Sequence, residues 1–140
     1  MRTITEPSRR SYPDEEISHI YELARFHLEN GNTKIAEPLI KGLTEVRPDF
    51  APGWLGLACI SILNNDFDAG LDAARKARKI KSDAADAILF EITCLLSLDD
   101  LNGAGTLLGE VSDMVENHQI TNPLHLRFFR AQLARYQTIR

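Results

Sequence analysis

The 34 residues from Ala51 to Ala84 restrict the possible fold more than any other stretch of the chain. Trp54, Leu57 and Ala58 recur at spacings of three and four, which puts them on one face of a helix. Asn64, Asn65 and Asp66 interrupt that pattern with turn-forming residues. Phe67, Ala74 and Ala77 then supply the buried stripe of a second helix. Ala58 is small enough to let the two helices approach closely. A lone helix-turn-helix leaves its apolar face open to water, so this unit needs neighbours.

The same frame fits both flanks. From Ile17 to Phe50, Ile20 takes the place of Trp54, and Leu23 and Ala24 take those of Leu57 and Ala58. Gly31 falls at the turn, Ala36, Ile40 and Leu43 follow in the second helix, and no residue is inserted before Ala51. A looser third unit runs from Ala85 to His118. Ile88, Ile92 and Leu95 line its first helix, Asp99 and Asp100 make its turn, and Ala104, Leu108 and Val111 line its second. Glu91 stands where Leu23 and Leu57 stand, a departure that suits a terminal unit. The 34-residue period and the Trp-x-x-Leu order resemble the tetratricopeptide repeat.

The first helix is expected to start near Pro13 and Asp14, with Asp14, Glu15 and Glu16 facing the positive end of its dipole. Its apolar stripe reads Ile17, Ile20, Leu23, Ala24, Phe26 and His27. Pro38 falls inside a helix and predicts a kink or a late start there. Thr121, Asn122 and Pro123 signal a last helix over 122–138 that caps the third unit and turns Leu124, Phe128, Ala131, Leu133 and Ala134 inward. Residues 1–12 carry no periodicity and read as a flexible arm. The expectation is an all-α fold: one domain over 13–140, with repeats at 17–50, 51–84 and 85–118. Three helical hairpins stack in a short right-handed superhelix closed by a C-terminal capping helix.

Composition excludes several functions. At 140 residues with 44% apolar and 26% charged residues, the chain suits a globular domain with a real core. Cys59 and Cys94 lie in separate helical patterns with no Cys-x-x-Cys, which fits a reducing compartment and argues against structural zinc. No apolar run reaches the roughly 20 residues of a membrane span, and the N-terminus has no apolar leader core, so a cytoplasmic location and no membrane role are expected. His19, His27, His118 and His125 are scattered without metal-ligand spacing. No nucleophile elbow, phosphate loop, zinc-protease motif or dinucleotide fingerprint occurs. The chain reads as a non-enzyme needing no cofactor or metal. Arg75, Lys76, Arg78, Lys79 and Lys81 crowd one helix, while Ser82 to Leu126 holds eight acids and no Lys or Arg. That pattern reads as a basic helix end beside an acidic neighbour. With a net charge of -4 and no base-reading element, no nucleic-acid partner is expected.

A candidate site remains on the inner surface. In tetratricopeptide proteins the second, fifth, ninth, twelfth and thirteenth residues of a unit usually face it. Unit one then offers Ser18, Tyr21, Arg25, Leu28 and Glu29, and unit two offers Pro52, Leu55, Cys59, Ile62 and Leu63. Unit three offers Asp86, Leu89, Thr93, Leu96 and Ser97. The predicted groove comprises Tyr21, Arg25, Leu28, Leu55, Cys59, Ile62, Leu89, Thr93 and Leu96, with an apolar strip of Leu55, Ile62, Leu89 and Leu96 open to a protein partner. The alternative is that a terminal helix fills this groove. Repeats that grip C-terminal carboxylates place Lys, Asn and Arg where this chain has Tyr21, Arg25, Gly56, Asp86 and Phe90. One cation among the five argues against such a clamp.

Three motifs resemble the tetratricopeptide chaperones of type III secretion, over about residues 17–118. Ile20 to Phe26 is similar to their first helix, Leu55-Gly56-Leu57-Ala58-Cys59 to a run in their second unit, and Cys94-Leu95-Leu96 to one in their third. The likeness is to the class II translocator chaperones of the SycD/LcrH kind, with the needle-subunit chaperones of the YscG/PscG kind as the other group. The resemblance implies a chaperone or adaptor. Its groove would hold an extended segment of a secreted translocator, or a helix of a needle subunit alongside a small helical co-chaperone. It also implies a homodimer through the N-terminal helix. A general repeat scaffold unrelated to secretion and a non-catalytic regulatory subunit are the competing readings.

Overall fold

Residues 13–139 are described by a computed structural model, and the arm expected over residues 1–12 lies outside them. Seven helices make up the described residues: α1 Asp14–Glu29, α2 Thr33–Val46, α3 Ala51–Leu63, α4 Phe67–Ile80, α5 Ala85–Ser97, α6 Leu101–Glu116 and α7 Pro123–Ile139. α1, α3 and α5 are the first helices of the three units, and α2, α4 and α6 are the second.

The turns explain why the period holds. Gly31, Asn65 and Asp99 sit 34 residues apart, and each has a left-handed backbone, with φ of 80°, 59° and 62°. Each closes its helix in the same way. The amide of Asn65 donates to the Ile62 carbonyl and that of Asp66 to Ser61, and the pairs Gly31–Leu28 with Asn32–His27, and Asp99–Leu96 with Asp100–Leu95, repeat the motif. This is a Schellman closure, which pairs the carbonyls orphaned at a helix end. Glycine adopts the left-handed state freely, and Asn and Asp tolerate it better than other residues. The following residue then starts the next helix: Asp66 Oδ1 accepts from the Ala69 amide at 3.3 Å, and Asp100 Oδ1 from Gly103 at 2.9 Å. A turn of three residues forces each pair of helices to lie antiparallel.

The hairpins stack because each second helix packs on the next first helix, α2 on α3 and α4 on α5. Ile17, Ala24, Ala36, Ile40 and Leu43 form the core of the first hairpin, joined by Ile60 from α3. The middle of the stack is built from alanines: Ala58, Ala73 and Ala74 are buried, with Trp54, Leu57 and Phe90 packed around them. Small side chains here permit close helix approach. Trp54 also fastens the preceding loop, since its indole Nε1 donates to the Pro48 carbonyl at 2.8 Å, and Lys76 lies 4.6 Å above its ring. The third core holds Ile88, Leu89, Ile92, Leu95, Leu96, Leu107, Leu108 and Val111, and α7 adds Phe129.

Several expectations need correction. α2 starts at Thr33 and continues through Pro38, so the late start does not occur. The carbonyl that loses its partner belongs to Lys34, an exposed residue, so water can take the missing donor's place. Leu23 and Phe26, expected in the core, are 49% and 59% exposed, because among the described residues no helix packs on the outer face of the first hairpin. In α7, Leu124, Ala131 and Ala134 point to solvent, and Phe129 is buried in their stead. Asn122 does start this helix, its Oδ1 accepting from the Leu124 amide at 2.9 Å.

Candidate functional site

α1, α3 and α5 lie side by side and line a concave face. A cleft of about 380 Å³ opens there, with Tyr21, Arg25, Leu28 and Glu29 from α1, Leu55, Gly56, Cys59 and Leu63 from α3, and Asp86 and Phe90 from α5. The floor is apolar and the rim is charged. Gly56 belongs at the back of the cleft for a steric reason: a Cβ there would come 2.7 Å from Cδ1 of Ile40, so glycine lets α3 settle onto α2. Leu63, at the open end, is 58% exposed.

Five of the nine groove residues expected from the sequence meet in this cleft: Tyr21, Arg25, Leu28, Leu55 and Cys59. The other four do not. Leu89 and Leu96 are 0% and 1% exposed in the third core, covered where α7 packs along α5. Fully burying a leucine stabilises by about 1.5–3 kcal/mol, which favours that cover over an open strip. Ile62 is half-buried and faces α4, its Cγ1 3.4 Å from a Cβ placed on Gly70. Thr93 is half-buried, with its hydroxyl donating to the Leu89 carbonyl. The rule of fixed repeat positions fails at Leu89 and Leu96 because α7 covers α5 in addition to α4 and α6. A better signal lay in the clamp comparison, since all five of its positions, Tyr21, Arg25, Gly56, Asp86 and Phe90, line the cleft.

α7 buttresses this wall rather than filling the groove. It runs along α5 through three contacts: His125 Nε2 with Asp86 Oδ1 at 2.6 Å, Phe128 against Phe90 at 5.8 Å between ring centres, and Arg135 donating to Ser97 Oγ at 2.9 Å. A second cleft of about 420 Å³ continues from the first, sharing Leu55 and Asp86 and reaching Lys81, Asp83, Asn122 and His125. The concave surface thus has an apolar half and a polar half.

Charges at the rim are already engaged. Arg25 Nε donates to Glu29 Oε2 at 2.9 Å, and its Nη1 lies 3.5 Å from Glu22 Oε1. Tyr21 stacks edge-on against Phe50 at 5.6 Å, and burial holds its hydroxyl pKa above the usual value. Burial also raises the Cys59 thiol. Cys94 is fully buried and pushed up to about 11, by burial first and then by Glu91 and Asp68. Cys59 is therefore the thiol that a reagent can reach. Among the described residues no three His, Cys, Asp or Glu side chains could hold a metal ion, and no helix is long and apolar enough to cross a membrane.

No protein-family model and no curated protein matches this chain. Solved structures do. The chain is similar to the TPR2AB domain of yeast Sti1 in its pHSP90 complex, with a TM-score of 0.77 and 12% identity over 94% of this chain. It spans 49% of that longer chain, about half its length. It is also similar to a chain of the CopN–Scc3 complex, with a TM-score of 0.69 and 12% identity, over 87% of this chain and 69% of that one. At such identity the likeness concerns the fold, and the fold is that of tetratricopeptide-like helical hairpins.

Proposed function

We propose that the chain is a binding scaffold without catalytic activity, whose concave cleft holds a segment of another protein. The observation that carries this reading is the apolar floor between α1 and α5, where Leu55, Cys59 and Leu63 line a cleft that no other element covers among the described residues. Apolar clefts with a charged rim suit side-chain anchors on a peptide or helix. The sequence resemblance narrows the partner to a type III secretion substrate, a translocator or a needle subunit, kept soluble and unassembled before export. Covering apolar surface on such a cargo needs pockets and no chemistry.

The test is recovery of the tagged chain from its native cells, with identification of what is bound to the wild type and to Leu55→Asp. A secreted translocator or needle subunit lost from Leu55→Asp supports the chaperone. A cytosolic partner of another class, also lost from Leu55→Asp, leaves a general scaffold in its place. A partner retained by Leu55→Asp moves the site off the concave face.

The resemblance also carries a homodimer through α1. Exposed Leu23 and Phe26, beside a shallow apolar cleft of about 230 Å³ lined by Ile20, Pro38, Leu39 and Val46, support that surface. Phe26→Glu should convert a dimer to a monomer by light scattering; a mass unchanged by the substitution rejects this face.

A further inference from the structure

The concave cleft does more than exclude water: its rim has a sign. We infer that the segment it takes is short and carries apolar anchors flanked by lysine or arginine; this rests on the cleft being the binding site. Two carboxylates, Glu29 and Asp86, line the mouth beside the cation Arg25, and a third, Glu22, lies 3.5 Å from that arginine. Arg25 is committed to Glu29 and Glu22, and His125 to Asp86 Oδ1. The second oxygen of each carboxylate stands outside those bonds. All three side chains remain accessible, 61%, 63% and 48% exposed for Glu22, Glu29 and Asp86. The polar half of the surface adds Lys81 and Asp83, which balance each other. A cationic ligand side chain therefore finds acceptors at the rim, whereas a carboxylate meets an excess of like charge.

The opposite pole of the molecule points the same way. The basic helix α4 commits Arg75 and Arg78 to Glu91 and Lys76 to Asp72, and it lies on the stack's other side. A cationic segment thus meets acceptors at the concave mouth and like charge along α4. Length follows from geometry. From α1 to α5 are two interhelical spacings of about 8–10 Å. An extended chain advances about 3.3 Å per residue, so about five or six residues cross the cleft.

The experiment is selection from a random eight-residue peptide library on the purified full chain, in parallel on Leu55→Asp and on the double variant Glu29→Lys, Asp86→Lys. Circular dichroism and the urea midpoint verify that each variant is folded. The expected result is enrichment of apolar peptides rich in Lys or Arg, lost on Leu55→Asp. A selected peptide should bind about tenfold tighter than its counterpart carrying glutamates at the basic positions, at ~50 mM salt, with the gap shrinking at high salt. It should also slow alkylation of Cys59. On the double variant the charge preference should reverse. Enriched peptides that are neutral or acidic, or equally enriched on the double variant, overturn the charge inference and leave the cleft as the site. Enrichment that survives Leu55→Asp, or none at all, overturns the cleft itself and this inference with it.

Discussion

Glu91 shows how one residue can look wrong in a sequence and right in a structure. It occupies a position where the other repeats place leucine, and its side chain is only 7% exposed. Arg75 Nε reaches it at 3.1 Å and Arg78 Nη1 at 2.9 Å, both from α4. A buried carboxylate needs such partners, while the arginines, 56% and 30% exposed, can fall back on water. The two sides of the pair are therefore unequal. Arg78→Ala should destabilise by about 2–3 kcal/mol in urea unfolding, whereas Glu91→Leu, which restores the repeat's apolar residue, should be neutral or stabilising. His118 offers a second case. It closes α6 with a φ of 59°, a left-handed state that costs a side chain with a Cβ. His118→Gly should raise stability by about 1 kcal/mol. An unchanged urea midpoint would show that the turn carries no such strain.

Elements divide into those written in the sequence and those set by their neighbours. The turns at Gly31, Asn65 and Asp99 were legible because left-handed closures demand a few residue types at a fixed period. The α3–α4 hairpin was legible because Ala58 on α3 and Ala74 and Ala77 on α4 mark the two facing stripes, and all are fully buried. Faces at the two ends of the stack were not. Periodicity marks an apolar face without telling whether a helix will cover it, so Leu23 and Phe26 looked like core, and Leu89 and Leu96 like open groove. In α7, Phe128 and Phe129 are adjacent, and helical spacing alone did not decide which would be buried. Phe129, 7% exposed, joins the third core, and Phe129→Ala should cost about 3–5 kcal/mol. Leu124→Ser, at a site 66% exposed, should change stability by less than about 0.5 kcal/mol. Equal effects from the two substitutions would mean that α7 is rotated on its axis.

At the scale of the whole molecule, the concave face joins three helices that are far apart in sequence, and its floor and rim come from different units. Three hydrophobic cores lie behind the cleft, and Gly56 is fixed by its close approach to Ile40. Leu55 is half-buried at the meeting point of the apolar and polar halves. A charge placed there disrupts any apolar anchor while leaving the stack intact. The most direct measurement is the affinity of the purified native partner, once recovered, for wild type, for Leu55→Asp, and for Glu110→Lys on the exposed face of α6. The cleft predicts a loss of at least about 100-fold, or roughly 2.7 kcal/mol, for Leu55→Asp at an unchanged urea midpoint, and little change for Glu110→Lys. Wild-type affinity in Leu55→Asp, or a larger loss in Glu110→Lys, would contradict the assignment of the concave face.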